Sequence, residues 1–282
     1  MSFSVRYASF SDHAALCELY RTYYPFNHPL FYPAFWQWQF GPAIGGRCII
    51  ALDSEGKVAG HLGAVPGGGL VWLINILVRR TGDMPGLIGS MFHLARTQGP
   101  LAVALANDAG ARLLQKRGWH RQPNLRRLLW ISPAVQHLPV AAVLAPVALP
   151  KGLTRPASGF YEQPLLDSAV LPGGDECLLQ AAVGGLRLVS FDEVEQSLAW
   201  AQANGWRWAD AVVSTPEDEQ WLLAHGFQHR PDFPWFVNPP DFSRTVELNL
   251  FTEELLPAGF RFSRLYADMS RIGLLPADVL PL

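Results

Sequence analysis

The sequence predicts an α/β (α+β) protein with two tandem domains, each a mixed, mostly antiparallel sheet flanked by helices. Residues 70–119 predict the first domain, because they read as a strand, a glycine-bearing turn, a helix, a strand and a second helix. Residues 215–227 predict the second. They repeat the spacing of 107–119, in which a helix-capping residue stands eleven positions before a glycine and an aromatic residue follows that glycine. We interpret this repeat as an internal duplication.

The composition is that of a folded and weakly charged protein. The chain has 282 residues, of which 49% are hydrophobic and 16% charged, and its net charge is −2. This length allows one large domain or two ordinary ones, and the apolar content argues against disorder. The charge balance provides no overall basic field for nucleic acid or for an anionic membrane, so we expect neither as a partner.

The cysteines and the N-terminus predict a soluble cytoplasmic protein. Cys17, Cys48 and Cys177 are isolated and have no Cys-x-x-Cys spacing, which favours a reducing compartment over a metal site or a disulfide framework. The first residues lack a signal-peptide pattern. The longest weakly polar run, 139–150, is too short and too rich in proline to span a bilayer.

The first domain is predicted to begin with an antiparallel meander. A strand at 5–8 precedes a capping box, Ser9-x-x-Asp12, which opens a helix, and a second, very aromatic helix follows at 35–40. Three further strands are predicted at 47–53, 58–65 and 70–78.

The last of these strands leads into a candidate phosphate site. The turn after it contains Gly82, Gly86 and Gly89, which allow positive φ and let a ligand approach the backbone. A helix predicted at 86–97 leaves this turn, and its free N–H groups and positive dipole end would hold a phosphate there. The next helix is predicted to begin at the N-cap Asn107 and to end at Gly118.

In this order the stretch resembles the GNAT superfamily of acyl-CoA-dependent N-acyltransferases, over residues 1–130 of the chain. In that superfamily a strand ending in Val leads to a pyrophosphate loop, Arg/Gln-x-x-Gly-x-Gly/Ala. A helix, a strand and the segment Asn-x-x-Ala-x-x-x-Tyr-x-x-x-Gly-Phe follow. The matches are Val78, Gly86 and the spacing from Asn107 to Gly118-Trp119. The departures are Asp83 at the loop's Arg, Ile88 at its second Gly, Gly110 at the Ala, and Leu114 at the Tyr that often protonates the departing thiolate.

The resemblance implies acetyl-CoA or another acyl-CoA as cosubstrate and indicates which residues would hold it. Backbone amides at the end of the central strand would bind the acyl carbonyl and the pantetheine, at Ile76, Leu77 and Val78. Backbone N–H groups of the following turn would bind the pyrophosphate, at Met84, Gly86, Leu87, Ile88 and Gly89. Asn107 and Gly110 would contact the cosubstrate from the next helix.

Charged residues around this turn act in opposite directions. Asp83 would repel a diphosphate by Coulomb interaction, whereas Arg79 and Arg80 would offset that repulsion.

Acyl transfer to an amine needs a neutral amine, so a general base is expected. His61 is a candidate because imidazole titrates near neutrality, and the alternative is a hydrogen-bonded structural histidine. Asn75 is a candidate for orienting a water molecule, and the alternative is a satisfied core amide. Asp268, in the C-terminal tail, is a third candidate that could reach the cleft. The sequence contains no recognised motif for a metal site or a nucleophilic triad.

The predicted boundaries are 1–132 for an acyl-CoA-binding domain, 133–159 for a proline-containing linker and 160–282 for a degenerate second domain. The second domain has no glycine-rich loop. At the corresponding place it has Ser-Phe-Asp-Glu at 190–193, which has the form of a capping box and whose acidic residues would repel a pyrophosphate. We therefore expect one acyl-CoA site in each chain.

The expected reaction is direct acyl transfer to a small amine, held in a cleft lined by residues 24–40 and by the second domain. One alternative is a binding or scaffold protein on a decayed fold of this kind, which Asp83, Ile88 and Leu114 favour. A weaker alternative is a tandem aminoacyl transferase that takes its acyl group from tRNA, and the lack of a basic charge balance disfavours it.

Overall fold

A computed structural model describes residues 3–24, 28–79, 83–104, 108–164, 167–233 and 249–263. The strands are β1 Ser4–Tyr7, β2 Arg47–Leu52, β3 Val58–Gly67, β4 Leu70–Val78, β5 Leu101–Ala104, β6 His120–Gln122, β7 Arg126–Ile131, β8 Asp167–Val170, β9 Glu176–Gln180, β10 Gly185–Leu188, β11 Trp208–Val213 and β12 Leu250–Thr252. The helices are α1 His13–Tyr20, α2 Pro33–Gln39, α3 Met84–Arg96, α4 Asp108–Lys116, α5 Val140–Val143, α6 Val194–Ala203 and α7 Pro216–Ala224. Among these helices none is long and apolar enough to cross a membrane.

The predicted α/β architecture of two mixed sheets flanked by helices is confirmed. The first sheet has the order β1-β2-β3-β4-β5-β12-β6. Its strands β1 to β4 form the predicted antiparallel meander. Helix α3 then crosses over to β5, which pairs parallel to β4.

The second sheet repeats the central part of the first. Its order is β7-β11-β10-β9-β8. Strands β9 and β10 form an antiparallel hairpin, and α6 then crosses over to β11, which pairs parallel to β10. The sequence β9-β10-α6-β11-α7 therefore matches β3-β4-α3-β5-α4, as the predicted duplication requires.

The two halves of the chain exchange one strand each. Strand β7, which follows the first half along the chain, pairs antiparallel with β11 of the second sheet. Strand β12, from the end of the chain, lies between β5 and β6 of the first sheet. Sheet membership therefore does not follow the predicted division at residue 132. The hydrophobic pattern of β7 identifies a strand but does not select its partner, because that choice is made by tertiary packing.

The two faces of the first sheet are covered by different helices. Leu87, Met91 and Ala95 of α3 are almost completely buried against apolar side chains on one face, and burial of each side chain of the size of Leu or Met contributes about 2 kcal/mol. Helices α1 and α2 cover the other face, together with Phe160 and Leu178 from the second half. The second half therefore packs against the side of the first sheet that lies opposite α3.

Two local predictions at helix starts have different outcomes. The capping box of Ser9 and Asp12 is confirmed, although a short 3-10 turn precedes α1. The capping box predicted at 190–193 is wrong. The hydroxyl of Ser190 accepts from the N–H of Glu176 instead, and α6 begins after Glu193.

Candidate functional site

An opening lies between β4 and β5 in the first sheet. Within the described residues, the two strands pair at Val71 with Leu101 and at Trp72 with Ala102 and no further. β4 then continues to Val78, while β5 continues to Ala104 and pairs there with β12 on its other edge. Pairing between β4 and the described part of β5 thus ends at Trp72, and Ile76, Leu77 and Val78 lie on the part of β4 beyond that point.

A β-bulge re-aims β4 beside this opening. The register between β3 and β4 shifts between His61, which pairs with Leu77, and Gly63, which pairs with Ile74. Asn75 and Ile76 thus stand opposite the single residue Leu62. Asn75 has a φ of 50°, the only positive φ of a non-glycine residue in the described ranges. Asn tolerates this conformation better than most residues, so the sequence carries a local signal for the bulge.

The side chain of Asn75 is held on both of its polar atoms. Its Oδ1 accepts from Gln39 Nε2 at 3.1 Å, and its Nδ2 donates to Tyr24 Oη at 3.3 Å. The ring of Tyr24 stacks on His28 with a centroid distance of 3.9 Å. Residues from the segment 24–40 therefore converge on the bulge, where the resemblance places the acceptor wall.

His61 lies in the core directly behind the bulge. It is fully buried, and its Nδ1 lies 3.0 Å from the carbonyl oxygen of Asn75. Because a carbonyl only accepts, Nδ1 carries the proton, and Nε2 accepts from Tyr20 Oη at 3.4 Å. Burial lowers the pKa of His61 to about 3, so the imidazole is neutral at physiological pH. This placement matches the structural alternative, in which His61 fixes the backbone at Asn75. Its role as general base stays a prediction.

The first turn of α3 is capped by Asp83. The carboxylate Oδ1 accepts from the N–H of Gly86 at 3.0 Å. Asp83 and Pro85 together start the helix at Met84, two residues before the predicted start, because both residue types favour a helix N-terminus. Gly86 and Gly89 consequently lie within the helix and not in a loop with positive φ. Leu87 faces the core and Ile88 is half-buried beside it.

The candidate phosphate seat thus contains a competing anion. The N–H of Gly86, which was predicted to bind a pyrophosphate, already donates to a carboxylate. A phosphate at this helix end has to displace the Asp83 side chain or bind beside it.

A cation that the sequence analysis missed reaches the same turn. Arg117, from the end of α4, donates from Nη2 to the carbonyl oxygen of Pro85 at 2.7 Å. Its Cζ lies 5.6 Å from the ring centroid of Phe92, within range of a cation–π contact. A Cβ added at Gly89 would lie 3.1 Å from Nη2, so glycine here lets the guanidinium approach the helix. No spacing signal marks Arg117, because its long side chain crosses between two helices.

The other residues named from the sequence lie on α4 or outside the described residues. Leu114, at the position of the family's tyrosine, is buried among the apolar side chains under α3. Gly110 lies in the first turn of α4. Arg80, Gly82, Asn107 and Asp268 lie outside the described residues. Within the described ranges, no three His, Cys, Asp or Glu side chains form a group that could hold a metal ion.

Comparison with solved structures identifies the fold. A candidate acetyltransferase from Pyrococcus horikoshii superposes with a TM-score of 0.56 and 12% identity, over 97% of this chain and 94% of that chain. A GCN5-related N-acetyltransferase from Kribbella flavida gives a TM-score of 0.53 and 10% identity, over 89% and 71%. The GCN5-related glucosamine N-acetyltransferase region of a fungal GH3 β-N-acetylglucosaminidase gives 0.51 and 13%, over 89% of this chain and 38% of that one.

The chain therefore has the fold of GNAT acetyltransferases over most of its length. No family model and no curated protein matches the sequence.

Proposed function

We propose that the first half of the chain binds an acyl-CoA, with acetyl-CoA the first candidate, and transfers its acyl group to a small amine. The opening between β4 and β5 carries this proposal. It runs beside a bulged strand end and near the first turns of α3 and α4, where α3 offers a helix N-terminus to phosphate.

The backbone of β4 would bind the acyl end of the donor. The bulge at Asn75 turns the following residues, Ile76 and Leu77, relative to the rest of the strand. An amide N–H of this segment, that of Leu77 or its neighbour, would stabilise the oxyanion that forms as the amine attacks the thioester carbon. His61 and Gln39 would support this geometry by holding the carbonyl and the side-chain amide of Asn75.

Arg117 would supply the positive charge at the diphosphate end of the donor. It offsets Asp83 and lies on the α3 turn that the diphosphate would approach. The family's loop Arg is replaced by Asp83 in this chain, so a cation from α4 would compensate for it.

Proton transfer would differ from the family pattern. Leu114 has no proton to give, so the departing thiolate would take one from water. His61 is buried and weakly basic, so a solvent-borne base, water held near Asn75, or Asp268 from the tail would accept the proton of the amine. The acceptor would lie on the α1 and α2 side of the sheet, against Tyr24 and His28.

A non-catalytic binding role is the second candidate. The Asp83 cap on Gly86 favours it, because that contact uses a donor which an active phosphate seat needs. The partners proposed here are small molecules, an acyl donor and an amine, and the proposed compartment is the cytoplasm.

Thiol release from acetyl-CoA, measured with a panel of amines, tests the enzymatic proposal. We expect release that requires both protein and amine. Gly86→Glu should abolish it, because the new side chain collides with the Asp83 carboxylate and adds negative charge at the seat. Ser90→Glu, which adds the same charge one turn later on an exposed position, is the matched control. Acyl-CoA binding without turnover on any amine would favour the binding role instead.

A further inference from the structure

The second half contains a cleft equivalent to the proposed donor site. Strands β10 and β11 pair in parallel only as far as Arg187 with Asp210. Beyond that point β11 continues to Val213 and pairs with β7, while the chain after β10 turns back toward Glu176. Helices α6 and α7 follow β10 and β11 along the chain, as α3 and α4 follow β4 and β5 in the first half. By this equivalence the first turns of α6 and α7 form the mouth of the second cleft.

The α6 side of this mouth is already occupied by a carboxylate of the chain. Asp175, which is 2% exposed, accepts from the N–H of Glu193 at 3.2 Å and from the hydroxyl of Ser197 at 2.7 Å. An internal anion thus sits at the helix N-terminus, where a phosphate would otherwise be favoured.

The short segment Phe260–Phe262, which we call the strap, lies across the rest of the mouth. The N–H of Phe262 donates to Ser214 Oγ at 2.9 Å, and that hydroxyl donates to the carbonyl oxygen of Phe260 at 3.3 Å. Ser214 directly follows β11, so the strap lies at the open end of the second cleft.

Arg261 of the strap spans the two helix starts. Its Nε donates to Asp218 Oδ2 at 3.0 Å and its Nη2 pairs with the other oxygen of that carboxylate, on α7. On the α6 side, its Nη1 lies 3.8 Å from Asp192 Oδ1 and its Cζ lies 5.7 Å from the ring centroid of Phe191. Since the Asp218 side chain is only 12% exposed, this bidentate pair is partly shielded from solvent.

The strap also contacts the base of the opening between β4 and β5, which we call the first cleft. The ring of Phe262 packs edge-on against Trp72, with a centroid distance of 5.4 Å and an interplanar angle of 76°. Trp72 is the last residue of β4 that pairs with the described part of β5, so it marks the point where the opening between these strands begins. Val212 of β11 and Leu250 of β12 belong to the same apolar cluster, which joins the two halves.

We infer that the strap is an internal occupant of the second cleft and that, through Phe262 and Trp72, it holds the base of the first cleft in place. Arg261 places a positive charge at the position where the first half would hold a diphosphate. The carboxylates of Asp192 and Asp218 beside it favour a cation at that position. The second cleft is thus closed by the chain itself. Releasing the strap should loosen both clefts together.

Hydrogen exchange measured by mass spectrometry tests this inference without any ligand, so it is independent of the proposed acyl transfer. Arg261→Asp should speed exchange about tenfold in peptides covering 211–216 and 70–76, because local opening reports the loss of the contacts that hold those strand ends. Exchanging the charges, in Arg261→Asp with Asp218→Arg, should return both peptides toward wild-type rates. Arg230→Asp is the matched control, since among the described residues Arg230 forms its ion pair with the neighbouring Asp232.

Wild-type exchange at 211–216 in Arg261→Asp would overturn the closure of the second cleft. Faster exchange there with unchanged exchange at 70–76 would overturn the link to the first cleft. If the charge reversal does not fold, Ser214→Ala removes only the hydroxyl that binds the strap backbone. The same two peptides should then exchange several-fold faster, and unchanged rates in both would contradict the inference.

Discussion

The carboxylate of Asp83 accepts from the N–H of Gly86 across 3.0 Å, at the helix end where a phosphate would bind. One side chain therefore both starts α3 and competes with the ligand that the fold favours there. An uncharged Asn at position 83 would still accept from the Gly86 N–H, but it would no longer repel a diphosphate by its charge.

Asp83→Asn should strengthen acyl-CoA binding. Asn keeps the N-cap, since Asn and Asp are about equally good caps, but it removes a negative charge beside the diphosphate. At a separation of a few ångströms in a solvated site that charge contributes about 1 kcal/mol, so affinity should rise roughly fivefold. Isothermal titration with acetyl-CoA measures this. Asp232→Asn, which removes a negative charge paired with Arg230 in the second half, is the control. Equal affinities for wild type and Asp83→Asn would contradict the prediction.

Arg117→Gln should weaken acyl-CoA binding about tenfold, because it removes the cation that lies on the first turn of α3. The loss should shrink as salt is added, since much of the contribution is electrostatic and Arg117 is exposed. Titrations at low and high ionic strength check both statements. Arg155→Gln, which neutralises an exposed arginine that pairs with Asp167, should leave the affinity unchanged. A loss for Arg117→Gln that is independent of salt would argue against a charge contact.

His61 predicts a specific pH dependence of stability. Burial holds the pKa of the folded protein near 3, below the unfolded value of about 6.5, so between these pH values the unfolded chain binds more protons than the folded chain. The free energy of unfolding is therefore unaffected above pH 6.5 and falls as the pH drops below it. From pH 6.5 to 5 the loss due to His61 should be about 1.5 kcal/mol.

Urea unfolding at a series of pH values tests this slope. His61→Gln should be less stable than wild type at pH 7 but should lack this part of the acid slope, whereas the exposed His93→Gln should retain it. The same slope in His61→Gln and in wild type would mean that another group carries it.

Two substitutions at Asn75 should separate backbone strain from side-chain contacts. Both Asn75→Gly and Asn75→Ala remove the amide bonds to Gln39 and Tyr24, but only glycine takes a φ of 50° without strain. Asn75→Ala should therefore be less stable than Asn75→Gly by about 1 kcal/mol in denaturant unfolding. Equal stabilities would mean that the bulge relaxes when its amide is lost.

The sequence alone predicted the elements better than their partners. The meander, the strand–helix–strand unit of residues 70–119 and the repeat ending at Gly118 and Gly226 follow from periodicity and capping residues, which act locally. The exchange of β7 and β12 did not, because either strand satisfies its hydrophobic pattern in either sheet. The glycine pattern predicts the start of α3 two residues late, because the Asp83 side chain is a helix cap as well as a repulsive charge.

The sequence likewise predicts only those parts of the candidate site that depend on local signals. Asn75 and His61 stood out as polar residues in apolar strands, and the structure brings them together at 3.0 Å. The burial that makes His61 neutral depends on α1 and α2, which the strand pattern does not specify. Arg117 and the strap act through contacts between distant segments, which no spacing in the sequence records.

Calorimetric titration of the purified chain with acetyl-CoA, with CoA as reference, tests the central claim most directly. The account predicts micromolar binding with about one site per chain, because the first cleft is open and the second is closed by Asp175 and Arg261. Two equivalent sites would contradict the closure of the second cleft. No binding to CoA, acetyl-CoA or longer acyl-CoAs would contradict the proposed donor site and leave the non-catalytic binding role as the better account.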